Sequence, residues 1–389
     1  MIPTPRKLER FGTSIFSEMT RLAAEKGAIN LSQGYPDFDG PSEIIEAARE
    51  ALSAGQNQYA RSMGHLPLVE ALADRIRAWH GLEYDPVSEV VVTSGASEAI
   101  ASSVLGLVEP GDEVILIEPF YDSYPACVAM AGGVVRTCPL RPPRFELDFD
   151  ALEALVSPRT RLLLFNSPHN PTGKVFTRDE LEGIARICQK HGVTALSDEV
   201  YEHLTFGTAR HISLASIPGM RSHTITVSSS GKTFSLTGWK VGWASGPANL
   251  IRAVQAAHQY VTFATATPLQ AAIARALATH GEKYLVAFRA EYTTRRNLLL
   301  AALRSAGFEP SDPDGTYFIL ADYSKLSDED DRAFARKLVE HHGVAAVPYS
   351  AFLAASPRDR PSRLLRFAFC KRPETLEQAA GRLRAVRRS

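Results

Sequence analysis

The sequence predicts an α/β protein: a large domain with a mostly parallel sheet flanked by helices, and a smaller α+β domain. Three observations carry this. Short apolar runs without clean polar alternation recur between residues 89 and 245, as strands buried on both faces require. Stretches of helical period separate them, the α/β rhythm. Beyond residue 280 the pattern changes to long helices with a few short strands, and 389 residues are too many for one small core.

Taken in order, Ser14 to Lys26 reads as an amphipathic helix, with Ile15, Phe16, Met19, Leu22 and Ala23 on one face and Gly27 as its stop. Residues 1–44 are an N-terminal arm and helix expected to complete the small domain, and residues 45–280 are the large domain. Helices are expected over 41–54, 67–80, 96–108, 177–191 and 248–261. Strands are expected over 89–93, 113–118, 134–139, 161–166, 193–197, 224–228 and 241–245. The small domain, 281–389, opens on a long helix over 281–306, then a strand-like 315–320 and a helix over 330–342. Two short strands follow, over 343–347 and 364–369. There is no internal repeat and no low-complexity linker.

Composition narrows the function classes. Lys+Arg and Asp+Glu are both 43, so the formal net charge is zero and nothing favours a nucleic-acid or anionic-membrane partner. The basic end, 382–388, reads as a solvated helix face or frayed tail. Four scattered cysteines, Cys127, Cys138, Cys188 and Cys370, include no Cys-x-x-Cys, so neither a zinc site nor a disulfide framework is expected. The first residues, Met-Ile-Pro-Thr-Pro-Arg, carry no signal-peptide pattern, and no apolar run approaches membrane-spanning length. The expected compartment is the cytoplasm.

The chemistry concentrates around Lys232, in Ser228-Ser-Ser-Gly-Lys-Thr-Phe-Ser-Leu-Thr-Gly-Trp-Lys-Val-Gly-Trp243. A lysine at the end of an apolar strand, among small hydroxylated residues and eight positions before Lys240, suits an aldehyde cofactor held as a Schiff base with a clamped phosphate. A surface lysine in a polar loop is the plainer reading of those residues alone. Other polar groups fall at expected strand ends, where open parallel sheets hold ligands. Ser94-Gly95-Ala96-Ser97 opens a helix and exposes backbone N–H groups suited to a phosphate, or simply caps it. Asn170 is presented from a proline-fixed loop, Ser167-Pro-His-Asn-Pro-Thr-Gly-Lys174, which is otherwise a plain turn. Asp198 follows a buried strand, where a carboxylate is expensive unless paired, or caps a helix.

These stretches resemble the class I/II aminotransferases of the fold-type-I pyridoxal-phosphate superfamily. The resemblance rests on Ser-Gln-Gly-Tyr-Pro-Asp-Phe (32–38), Asn-Gln-Tyr-Ala-Arg (57–61), Gly-Ala-Ser (95–97) and Glu-Pro-Phe-Tyr-Asp-Ser-Tyr (118–124). Asn-Ser-Pro-His-Asn-Pro-Thr-Gly (166–173), Ser-Asp-Glu-Val-Tyr (197–201), the lysine motif and Leu-Leu-Arg-Phe-Ala-Phe (364–369) follow in register. Within the family the chain is similar to the kynurenine/glutamine, methionine and N-succinyldiaminopimelate aminotransferases.

The resemblance implies a pyridoxal 5'-phosphate cofactor joined to Lys232, which also moves the substrate's Cα proton. It implies a phosphate held by the Gly95 and Ala96 backbone, Ser229 and Lys240, with Ser97 also in the cofactor site and Tyr59 reaching the phosphate from the partner of a homodimer. Tyr121 would stack on the pyridine ring, Asp198 would pair with its nitrogen, and Asn170 and Tyr201 would bond its phenolic oxygen. Gly34, Asn170 and Arg366 would bind the substrate α-carboxylate; the alternation of Leu365, Phe367 and Phe369 sets Arg366 on the opposite face of its strand. No second arginine for an acidic side chain is evident. Ala264 and Ser97 are small where the kynurenine enzymes carry ring-bearing residues, which points to a wider pocket. The same scaffold also supports β-lyase, cyclase or oxidase chemistry, and non-catalytic cofactor-sensing domains of regulators.

Overall fold

The computed structural model describes residues 5–9, 11–354 and 362–386. Eight strands precede residue 250: β1 Ile29–Asn30, β2 Val90–Ser94, β3 Glu113–Glu118, β4 Val134–Pro139, β5 Thr160–Asn166, β6 Thr194–Asp198, β7 Thr224–Ser229 and β8 Val241–Ser245. Seven of them form one sheet in the order β2-β8-β7-β6-β5-β3-β4. All pairings are parallel except the two made by β8, which runs antiparallel to both β2 and β7. Burial on both faces explains the unalternating runs. Ile115, Ile117, Leu163, Phe165 and Ala195 enter one core, whereas Val114, Leu116, Leu162, Leu164 and Leu196 enter another on the opposite face.

Capping fixes the flanking helices. Ser14 caps Ile15–Lys26 by accepting from the Ser17 N–H, and Gly27 ends it at φ 60°. Thr177 and Glu180 form a reciprocal capping box on Arg178–His191. Besides two single-turn helices, Arg6–Glu9 and Ser230–Thr233, four helices escaped the sequence reading: Ser123–Ala131, Phe149–Ala154, Thr267–Thr279 and Pro373–Leu383. Ser123–Ala131 is apolar nearly all round, and Thr267–Thr279 is alanine-rich, so neither shows a polar face to betray its period.

Beyond the helix Glu282–Ser305 lie β9 Glu309–Pro310, β10 Phe318–Asp322, β11 Val344–Ala345, β12 Val347–Pro348 and β13 Leu364–Ala368. Strands β12-β13-β10-β9 make an antiparallel sheet, and β1 pairs in parallel with β11. The single strand expected over 343–347 is therefore two strands in two sheets. The N-terminal helix packs here too: Met19, Leu22 and Ala23 share a core with Leu338, Val344 and Phe367.

Residues 1–4 of the N-terminal segment and 387–388 of the basic end lie outside the described residues. Arg382, expected on a solvated face, is exposed but donates to the Gly27 and Gly343 carbonyls. Among the described residues no helix is long and apolar enough to cross a membrane, and no three His, Cys, Asp or Glu side chains converge as a metal site. All four cysteines are buried and free.

Candidate active site

The carboxyl ends of β2, β5, β6 and β7 open into a cavity of about 390 Å³. Its walls include Gly34, Gly95, Ala96, Ser97, Tyr121, Asn170, Asp198, Tyr201, Ser229, Lys232, Lys240 and Arg366. Twelve of the thirteen residues expected from the sequence thus converge. Tyr59 does not: it is 84% exposed on this chain, its ring edge-on to Phe263 at 5.2 Å. Ala264 is likewise not part of this wall.

One corner is built for an anion. β7 ends at Ser229, the short helix Ser230–Thr233 carries Lys232, and the chain reverses into β8 at Lys240. Lys240 takes a left-handed conformation, φ 53°, which returns its Nζ to within 3.0 Å of where a Cβ on Gly95 would lie. Gly95 itself sits at φ +75° and opens the helix Gly95–Leu107, whose first turn lines the cavity. A side chain on Gly242 would strike the Gly95–Ala96 backbone at 2.5 Å, so glycine in β8 permits that turn its place. An ammonium, a helix N-terminus and a serine hydroxyl suit a phosphate monoester.

Lys232 is half-buried in the cavity wall, and its Nζ donates to the Tyr317 hydroxyl at 2.7 Å and to the Gly34 carbonyl at 3.2 Å. Burial draws its ammonium down to about 8, with Lys240 and Arg366 helping and Cys370 and Asp198 opposing. Asp198 receives the Tyr124 hydroxyl at 2.6 Å and the Val200 N–H at 3.2 Å. Burial nevertheless pushes its carboxyl up to about 6. Burial also raises the Tyr121 phenol, to about 12.

Arg366 is 1% exposed and sits on β13, an interior strand of its sheet. Its Nη1 donates to Asn170 Oδ1 at 2.7 Å and its Nη2 to the Ser32 carbonyl at 2.8 Å. The guanidinium lies 3.9 Å from the Phe318 ring centroid, and its Nε is buried without a partner. Burial lowers it to about 10, still cationic at neutral pH. Asn170 is fixed in turn, its N–H donating to Asn166 Oδ1 at 2.7 Å, while Asn166 Nδ2 donates to the Asp198 carbonyl at 2.8 Å.

Sequence reasoning missed Tyr124, Tyr317 and Phe318. Tyr124 stood within a quoted motif without a role, and Tyr317 and Phe318 in a stretch read only as a strand. The spacing of Tyr317 from Lys232 in sequence carries no signal.

An anion corner, a half-buried lysine with a lowered pKa, a buried acid and a buried guanidinium share one cavity, a set of groups that suits amino acids handled through an aldehyde cofactor bearing a phosphate. The model of the family "aminotransferase class I and II" matches residues 26–383, and the chain belongs to that family. It is 49% identical over 388 residues to a probable N-succinyldiaminopimelate aminotransferase of Mycobacterium tuberculosis, covering 98% of each chain. It superposes on the solved methionine aminotransferase of Escherichia coli with TM-score 0.94 at 41% identity, covering 99% of each chain. A kynurenine–oxoglutarate transaminase of Dictyostelium discoideum is 38% identical, with 96% of this chain and 94% of that one covered. The protein is an aminotransferase of fold type I, dependent on pyridoxal phosphate, with amino-acid and 2-oxo-acid substrates.

Proposed function

We propose that the chain transfers the amino group of L-amino acids with long, neutral side chains, such as methionine, glutamine or aromatic residues, or of N-succinyldiaminopimelate. The observation that carries this is the cavity wall: among the described residues Arg366 is its only arginine, and Asp122 adds a carboxylate. A short acidic side chain would therefore meet no second guanidinium, and like charge would oppose it. The small side chain of Ser97 in the cavity wall favours a broad pocket.

Pyridoxal phosphate, when bound, supplies an aldehyde for amines and an electron-poor ring that takes up the electron pair left when Cα loses its proton. The protein's residues do the rest. Gly95, Ala96, Ser97, Ser229 and Lys240 hold the phosphate. Asp198 keeps the ring nitrogen protonated, Tyr121 covers the ring face, and Asn170 and Tyr201 hold its phenolic oxygen. Arg366, with Asn170 and Gly34, grips the α-carboxylate and aims the Cα–H bond at Lys232. Lys232 Nζ would take up that proton, a task for which an amine near neutrality is suited.

The assembly we propose is a homodimer of two-domain subunits, 45–280 large and 281–389 small with 1–44 added, in the cytoplasm. The exposed Tyr59, Tyr260 and Phe263 favour a covered face there, from which Tyr59 reaches the partner's phosphate. Buried, unpaired cysteines fit a reducing compartment. The test is a panel of methionine, glutamine, kynurenine, aromatic amino acids, aspartate and N-succinyldiaminopimelate against several 2-oxo acids, with Lys232→Ala as the blank. Aspartate turned over faster than methionine and glutamine would overturn the substrate class.

A further inference from the structure

The contacts around the Lys232 amine constrain where its hydrogens are. Tyr317 Oη lies 2.5 Å from the Gly34 carbonyl oxygen and 2.7 Å from Lys232 Nζ, while Nζ lies 3.2 Å from the same carbonyl. A carbonyl oxygen only accepts, and two oxygens that close repel unless a hydrogen lies between them. The one hydrogen of Tyr317 is therefore committed to Gly34. What the phenol offers Nζ is a lone pair, so Nζ is the donor in that contact. The Gly34 carbonyl takes a second hydrogen from Nζ. An uncharged primary amine has two N–H bonds and one lone pair; both N–H bonds are now engaged.

We propose that Tyr317 is a further catalytic residue: its phenol oxygen, with the Gly34 carbonyl, takes up both N–H bonds of the uncharged Lys232 amine and leaves the lone pair turned toward the cavity. The role rests on reading Lys232 as the base that removes the Cα proton. The surroundings allow little else. Tyr317 is 1% exposed, with its ring edge-on to Tyr201 at 5.1 Å and to Phe318 at 4.8 Å. Burial holds its phenol well above the ordinary range, so it stays protonated and keeps the hydrogen that fixes the arrangement. The device also spans two parts of the chain. Tyr317 precedes β10, Lys232 follows β7, and Gly34 lies two residues from the Ser32 carbonyl that Arg366 holds. The aim of the base is thereby tied to the segment next to the carboxylate-binding arginine.

The variant is Tyr317→Phe, which keeps the ring and removes the acceptor. In cofactor-free protein, Lys232 is labelled with acetic anhydride across a pH series and its peptide quantified by mass spectrometry. Asp198, Tyr201, Cys370, Lys240 and Arg366 face the same amine and are unchanged in the variant. Losing an acceptor that favours the ammonium moves the labelling midpoint down by about half a pH unit or more. In loaded enzyme kcat falls by about tenfold, the deuterium isotope effect at Cα grows, and KM for the amino acid stays within about twofold. An unchanged midpoint, or a lower kcat without a larger isotope effect, overturns the proposal. Should Tyr317→Phe not fold, 3-fluorotyrosine at 317 weakens the acceptor in place and must move the midpoint in the same direction. The labelling uses neither cofactor nor substrate, so its outcome separates this proposal from the assignment of the reaction.

Discussion

The turn after β6 has two sides that treat their carboxylates in opposite ways. On the back, Glu202 accepts from Ser228 Oγ and pairs with His80 at 2.7 Å. Burial alone would raise it, but the His203 and His80 rings and Ser228 reverse that and hold it at about 2. Glu199 accepts from Ser197, Ser213 and the Leu214 N–H, and pairs with His211 at 2.8 Å. On the front, Asp198 is as buried but is bonded only by neutral donors, Tyr124 and the Val200 N–H, and stands near 6. The acids on the back are satisfied from within; Asp198 lacks such a cationic partner and, in the proposed function, takes one from the bound ligand. Anchoring the back is what allows the front to remain unpaired without the turn relaxing around it.

The largest effect should come from the front. Asp198→Asn should lower kcat/KM by on the order of 10²–10³-fold, read in a coupled transaminase assay. The same change should not destabilise cofactor-free protein at neutral pH. With a folded pKa of about 6 above the unfolded value, the wild type holds an extra proton between those limits and loses stability as pH rises through them. The variant lacks that decline, so melts at pH 4.5 and 7 should differ less than in the wild type.

Glu202→Gln, on the back, should reverse the pattern. It leaves His80 without its anion and should destabilise the fold by about 3 kcal/mol, seen in urea unfolding, while kcat changes less than about threefold. Because Glu202 titrates near 2 in the fold, its contribution is present above its unfolded pKa and lost as pH falls toward 2. Acid unfolding of the variant should have a flatter limb in that window. Equal losses of kcat in both variants would erase the distinction between the two sides.

Tyr124→Phe is the smallest and finest probe. Without the 2.6 Å bond the Asp198 carboxyl should rise further, moving the acid limb of the kcat/KM profile to higher pH and lowering its plateau about tenfold.

The front of this turn was legible in the sequence and the back was not. Asp198 and Tyr201 stood in a recognisable motif at the end of a strand whose apolar run announced it. Glu199 lay between them and Glu202 just beyond, but their partners, His211 and His80, come from distant segments that only the fold brings near. Tyr317 escaped for the same reason: 85 positions separate it from Lys232. Local periodicity also passed over Ser123–Ala131, which lacks a polar face, although Pro373–Leu383, which has one, escaped as well. The strand over 343–347 was misjudged because a run of small apolar residues does not say where it changes sheets. Exposed Tyr59 gains meaning only if a second subunit covers it.

The reversal between β7 and β8 makes the stretch from Ser229 to Lys240 a gauge of fixed length. In the proposed function one end carries the amine that reacts and the other the charge that would grip the far end of the cofactor. Elsewhere a loop joining two strands can gain or lose a residue and be absorbed by solvent. Here a one-residue change would put the two lysines out of step with a rigid molecule spanning them. The chain length between them is as much a part of the active site as the lysines themselves.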